Sequence, residues 1–200
     1  MERYLMTHSL LFAWLYAMKV NPYEDEKDSY AEFLSALKRE PIPVSEAMQK
    51  GIDFENLVTG IARGGGDKTH CWYEAAYKVA SIVKGGLLQY STSREITVRN
   101  RRILLYGRLD ALKAGTIYDI KYSGSYDVGK YIDSTQHPTY FELIPEAKYF
   151  TYLVSNGTNV WTETYRRDET PSIIPVIEDF FACLDLQGLT NLYKEKWLAL

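Results

Sequence analysis

Leu10, Leu11, Trp14, Leu15 and Met18 recur at the spacing of one helical face, with Thr7 or Ser9 in place as N-cap. The pattern predicts a first helix ending by about Val20, where Asn21-Pro22 stops it because a residue before proline avoids the helical region. A second helix is expected from Asp25 or Glu26 to Lys38, with Tyr30, Phe33, Leu34 and Leu37 as its apolar positions. Pro41-Ile42-Pro43 then breaks the chain before Ser45 caps a third. That third helix carries Met48, Ile52, Phe54, Glu55, Leu57, Val58 and Ile61 and ends at Gly64-Gly65-Gly66. Glu55 lies three residues from both Ile52 and Val58, so it leans toward the apolar side.

A fourth helix is expected from about Cys71 to Val83, closed by Gly85-Gly86. Leu87 to Val98, rich in β-branched and aromatic residues, reads as a strand, and extended structure continues through Ile103 to Leu112 and Ile117 to Tyr122. The C-terminal third returns to helices at Pro145 to Val154, Ile173 to Leu186 and Leu189 to Leu198, with a strand at Asn159 to Tyr165. Helices before and after a block of strands define an α/β (α+β) chain with a central sheet covered on both sides. No repeat, low-complexity stretch or linker divides it, so residues 1–200 are expected to form one domain.

Composition adds limits to that picture. With 46% hydrophobic and 24% charged residues the chain can bury a sizeable core. Its two cysteines, Cys71 and Cys183, form no CxxC pair, which argues against a disulfide framework or a cysteine-rich zinc site and fits a reducing, cytoplasmic setting. The apolar run Ser9 to Met18 is too short to span a bilayer and lacks a basic flank, so no membrane partner is expected. A net charge of -3 gives no global attraction to nucleic acid, and any such binding must rest on a local basic surface.

The chemistry concentrates in Arg108-Leu109-Asp110-Ala111-Leu112-Lys113-Ala114-Gly115-Thr116-Ile117-Tyr118-Asp119-Ile120-Lys121, two strands around a turn at Ala114-Gly115. Centred there, Leu112 faces Ile117 and Asp110 faces Asp119, and alternation sets Lys121 on the face of Asp119. Ala-Gly is not a strong type I′ pair, and a slip of one residue would separate these groups. Two opposed carboxylates repel, so a cation belongs between them, and Mg²⁺ or Mn²⁺ with oxygen ligands suits phosphodiester cleavage. Lys121 would orient a water nucleophile and stabilise developing charge. Taken alone, the hairpin suits equally well an ordinary surface with diagonal salt bridges among Arg108, Asp110, Asp119 and Lys121.

Asp110, a short hairpin and then Asp119-Ile120-Lys121 resemble the D…(D/E)XK signature of the PD-(D/E)XK nuclease superfamily. Gly51-Ile52-Asp53-Phe54-Glu55 is similar to the helical motif of its RecB-like and lambda-exonuclease-like branch, and Gln136-His137-Pro138-Thr139-Tyr140 to that branch's QxxxY motif. The resemblance spans roughly Ser9 to Tyr152. It implies a restriction-endonuclease-like core built on a mixed sheet. It also implies metal ligation by Glu55, Asp110, Asp119 and the Ile120 carbonyl, a water-positioning Lys121, and a DNA strand held by Gln136 and Tyr140. The activity it implies is a metal-dependent deoxyribonuclease, an exonuclease first of all, in recombination, repair or phage DNA processing. Two cysteines at positions unlike the branch's cluster ligands imply no iron-sulfur cluster. The rival is a noncatalytic DNA-binding or scaffold protein with the same fold, and an RNA-directed nuclease would share the residues.

Other residues complete the expectations. Arg94, Arg99, Arg101, Arg102 and Arg108 offer the local basic surface, unless Asn100-Arg101-Arg102 is merely a solvated hairpin tip. Tyr122, Tyr126 and Tyr140 lie nearest the motif among the 17 tyrosines as stacking partners for bases. His137 suits a phosphate contact and a packing role equally. His70 and Cys71 read as helix-start residues, and Gly64-Gly65-Gly66-Asp67-Lys68 lacks the spacing of a phosphate loop.

Overall fold

The computed structural model describes residues 2–19 and 26–199, with 26–28 as backbone alone. Along these residues the elements are β1 (Arg3–Met6), α1 (His8–Met18), α2 (Glu26–Lys38), α3 (Glu46–Ala62), α4 (Tyr73–Val83), β2 (Leu87–Val98), β3 (Arg101–Lys113), β4 (Thr116–Tyr122), α5 (Gln136–Leu143), β5 (Tyr149–Ser155), β6 (Val160–Arg166), α6 (Ile174–Leu186) and α7 (Thr190–Lys196). Thr7 and Ser45 cap α1 and α3 by accepting from the amides of Leu10 and Met48, as their short polar side chains favour. The stop expected at Asn21-Pro22 lies outside the described residues.

The strands make one mixed sheet in the order β1-β3-β4-β5-β6, with β2 also paired to β3. Helices flank both faces, as the α/β pattern requires. One face packs α1, α2, α5, α6 and α7 into a cluster that includes Leu11, Trp14, Phe33, Ile103, Leu109, Phe150 and Phe180. On the other, α3 and α4 bring Phe54, Val58, Val79 and Val83 against Ala111, Ile120 and Leu153.

The helix expected over Pro145 to Val154 is instead β5. All of Phe150 to Ser155 is buried, and β5 runs parallel to β4, so both faces of the strand are apolar and no period of two is visible. Two elements went unanticipated: β1, four residues long, and α5, whose Pro138 sits in the first helical turn where a missing amide donor is tolerated.

Two irregularities in β3 position the site. The pairs Leu112↔Ile117 and Lys113↔Thr116 close a two-residue turn in which Ala114 and Gly115 have φ 49° and 76°, the left-handed pair a type I′ hairpin needs. Pairing with β4 ends at Ala111↔Tyr118, while β1 lies beside the same edge of β3 only at Arg102 to Leu105. Among the described residues no strand covers that edge from 106 to 110. The helix α5 plugs this fork: the Tyr140 hydroxyl donates to the Arg108 carbonyl at 2.8 Å, and a Cβ on Gly107 would meet Leu143 at 2.8 Å.

Candidate active site

Asp110 and Asp119 stand at the inner end of the fork. The turn register sets them opposite each other, just beyond the last ladder pair, and the Asp110 carboxylate takes the place of a strand partner: its Oδ2 accepts from the Ile120 amide at 2.7 Å. Burial first, then the charges of Asp119 and Glu55, push the Asp110 carboxyl well above the usual aspartate range. Asp119 is 6% exposed. Its Oδ1 accepts from Gln136 Nε2 at 2.5 Å, and its Oδ2 has the Lys121 ammonium 2.9 Å away without a hydrogen bond's alignment. Burial works against the Lys121 charge, yet the nearby Asp119 and Asp110 outweigh it and raise its pKa, so Lys121 is firmly cationic.

Glu55 reaches this cluster from α3, which packs against β4, and its charge is felt at Asp110. Its Oε1 accepts from Gln89 Nε2 at 2.8 Å and lies 3.6 Å from the Arg108 guanidinium. Gln89 was invisible to sequence reasoning. The pairs Leu88↔Ala111 and Tyr90↔Leu109 leave it opposite Asp110, and its backbone is left-handed at φ 55°. Regular alternation breaks on both strands there: Leu109 packs on one face of the sheet and Ala111 on the other. A non-glycine residue held left-handed beside converging carboxylates is strain of the kind that clusters at functional sites.

His8 is a second residue that the sequence did not single out. It opens α1 at the mouth of the fork, its carbonyl accepting from Thr135 Oγ1 at 3.0 Å and its ring 5.6 Å from that of Tyr140. Burial, then the Lys121 charge, push its imidazole down to about 4. Tyr131, stacked 4.3 Å from Tyr152, is also within reach of the Lys121 and Asp119 charges.

Several expected substrate contacts are placed elsewhere. Arg101 and Arg102 sit at the opposite end of β3 from Asp110, roughly 30 Å away at about 3.3 Å per residue. Both are paired: Arg101 with Asp185 at 2.7 Å and over the Phe181 ring, Arg102 with Glu95 at 2.8 Å. Arg94 and Arg99 likewise face Glu142 and Glu178, which leaves Arg108, 58% exposed, as the arginine of this group at the site. Tyr140 is 4% exposed and packs on Phe150, so its ring offers no free face to a base. Tyr122 packs on Trp72 and Phe54, and Tyr126 on Trp161 with its hydroxyl on Glu163. His137 is buried and stacked 4.1 Å from Tyr165, with burial holding it down near 4, which makes it a packing residue and not a phosphate contact. His70 Nδ1 accepts from the Trp72 amide at the start of α4, as a helix-start residue does.

Among the described residues no three His, Cys, Asp or Glu side chains are gathered closely enough to hold a metal as they stand. The Asp110 and Asp119 pair nevertheless suits a hard divalent cation. Asp119 Oδ2 is a buried oxygen without a hydrogen bond, and Asp110 is disfavoured as an anion until a cation offsets its neighbours. Glu55 would join them only by leaving Gln89 and Arg108.

The crystal structure of SSO0001 is similar to this chain, with a TM-score of 0.51 at 16% identity over 92% of this chain and 78% of that one. At that identity the likeness concerns the fold. No protein-family model and no curated protein sequence matches the chain.

Proposed function

We propose that this protein is a metal-dependent deoxyribonuclease acting at DNA ends, with Asp110, Asp119 and Lys121 as its reacting core. The observation that carries the reading is the convergence of a buried and a partly buried carboxylate, which repel each other, and a lysine at an unpaired stretch of sheet edge. Asp110 and Asp119 would hold Mg²⁺ or Mn²⁺, with Glu55 and the Ile120 carbonyl as the further ligands the motif suggests. When bound, the ion supplies Lewis-acid polarisation of the phosphodiester and a more acidic water. Gln136 fixes the rotamer of Asp119 by occupying Oδ1 and leaves Oδ2 beside Lys121. Lys121, 2.9 Å from Asp119, would orient the attacking water and stabilise charge on the phosphoryl oxygens. Arg108 lies at the mouth for a flanking phosphate.

A second reading, a noncatalytic DNA-binding or scaffold protein, draws on the Lys121 ammonium already neutralising Asp119 at 2.9 Å. Incubation with linear, circular and single-stranded DNA, each with Mg²⁺, with Mn²⁺ and with chelator, separates the two. Metal-dependent loss of linear but not circular DNA, abolished in Asp119→Ala and Lys121→Ala, is the expected result. DNA binding without turnover under every metal condition would favour the scaffold.

A further inference from the structure

Glu163 is a buried carboxylate on β6 whose partners come from the chain that crosses the site. Its Oε2 accepts from the Tyr126 hydroxyl at 2.8 Å and its Oε1 from the Tyr131 amide at 3.1 Å, with the Tyr165 hydroxyl donating to the same Oε1. Burial works against its charge, yet these bonds outweigh it and hold its carboxyl below the usual range. Tyr126 and Tyr131 belong to residues 123–135, which connect β4 to α5, so Glu163 ties the chain between Lys121 and Gln136 onto the sheet.

The strand register gives that tie a direction. The pairs Asp119↔Tyr152 and Tyr152↔Glu163 set three side chains in one row across β4, β5 and β6, about 4.8 Å from strand to strand. With its amide on Glu163, Tyr131 lays its ring on Tyr152, 4.3 Å between centroids and 17° from parallel, which carries the hydroxyl toward the Asp119 end of the row. There the Lys121 and Asp119 charges both act on it, and it makes no hydrogen bond to another described residue. Neighbouring tyrosine hydroxyls are spent within the fold: Tyr140 on the Arg108 carbonyl, Tyr152 on the His137 ring, Tyr126 and Tyr165 on Glu163.

We propose that Tyr131 is a further catalytic residue, its hydroxyl donating a hydrogen bond to a non-bridging oxygen of the scissile phosphate beside Lys121, with Glu163 as the positioning residue that holds it there. This rests on the nuclease reading above. Burial, ahead of the Lys121 and Asp119 charges, raises the pKa of the hydroxyl, so it stays protonated and able to donate. A donor aimed at an oxygen that gains charge as water attacks favours the transition state over the bound substrate. No proton is transferred.

The test is cleavage by Tyr131→Phe of a linear oligonucleotide whose terminal linkages are phosphates or single phosphorothioates of either configuration. Phenylalanine keeps the ring on Tyr152, so circular-dichroism melts should match wild type, while kcat with Mg²⁺ should fall about 10- to 100-fold at little change in KM. Sulfur is a poor hydrogen-bond acceptor, so one of the two configurations should slow wild type more than Tyr131→Phe. Metal contacts to the same oxygens are common to both enzymes and cancel in that comparison. Equal slowing of both enzymes by each configuration would overturn the contact. Glu163→Gln should lower kcat in wild type but by no more than about twofold in Tyr131→Phe, and an equal loss in both backgrounds would remove its positioning role. If wild type cleaves under no metal condition, the nuclease reading falls and affinity for the unmodified oligonucleotide in Ca²⁺ decides the contact. A loss of about tenfold in Tyr131→Phe would keep it, and unchanged affinity would remove it.

Discussion

Gln136 Nε2 donates a 2.5 Å hydrogen bond to Oδ1 of Asp119, and that bond selects which oxygen of the carboxylate faces Lys121. Both residues are buried, at 7% and 6% exposure, so neither has water as a substitute partner. Gln136→Leu is expected to destabilise the protein by about 1–3 kcal/mol through the orphaned carboxylate oxygen. Cleavage should fall roughly 10- to 100-fold as the ligand loses its orientation. Urea melts and initial rates against Mg²⁺ concentration check both, and an unchanged Mg²⁺ dependence would remove Gln136 from the site.

Asp110 gives a pH signature. Burial first, then Asp119 and Glu55, raise its folded pKa above the unfolded value, so the folded state favours the protonated form. Its contribution to stability is complete below about pH 4, the ordinary aspartate range, and is lost as pH rises toward the raised value. Melting temperature in chelator should therefore decline over that window, and Asp110→Asn should flatten the decline. Mg²⁺ should restore wild type, by about 2.7 kcal/mol at a hundredfold excess over its dissociation constant, and leave Asp110→Asn unmoved.

The arginines make contrasting expectations. Arg101→Ala/Arg102→Ala removes groups already paired with Asp185 and Glu95 at the far end of β3, so the salt slope of DNA binding should stay as in wild type. Arg108→Ala should flatten it by about 0.7–0.9 if the guanidinium meets a phosphate. A flattening confined to the double variant would move the DNA to the other end of the sheet.

Gln89→Gly should separate stability from activity. Glycine relieves the left-handed backbone at φ 55° and so offsets much of the loss of the bond to Glu55. With Glu55 released from Gln89 and free to join the metal, cleavage at low Mg²⁺ should hold or rise even though the melting temperature changes little. Parallel loss of both would make Gln89 structural only.

Ala114→Gly tests the turn. At φ 49° alanine carries a Cβ in a conformation that glycine adopts freely, so the variant should gain up to about 1 kcal/mol, or 2–4 °C in a domain of this size, with cleavage unchanged.

Local rules made much of the scaffold legible. Ser45 before a helical repeat, Gly85-Gly86 before a β-rich run and the Ala114-Gly115 turn each act within a few residues, and α3, β2 and the β3–β4 register follow from them. Phe150, Leu153 and Val154 imitate helical spacing because β5 is buried on both faces, which hid the strand. The site divides in the same way. Asp110, Asp119 and Lys121 come together through one hairpin. His8 and Gln89 arrive through β1 against β3 and through a backbone irregularity opposite Asp110, neither of which leaves a periodic trace. Tyr140 and Gln136, four apart, share a face of α5, but Pro138 between them masked the helix.

The uncovered edge of β3 also orders the protein in time. β2, β3 and β4 are consecutive and joined by tight turns, so their hairpins need only short loops to close and can form on the microsecond scale. β1 comes from a chain segment nearly a hundred residues away and α5 is reached only through residues 123–135, so their docking is expected after the hairpins form. The two carboxylates are thus drawn together by the fast hairpin while water still reaches them through the fork. Their desolvation comes with the late docking of α1 and α5. Substitutions on the docking face of α5 should consequently speed unfolding more than they slow folding, and amide exchange at Ile120 should outpace exchange in the β2–β3 ladder.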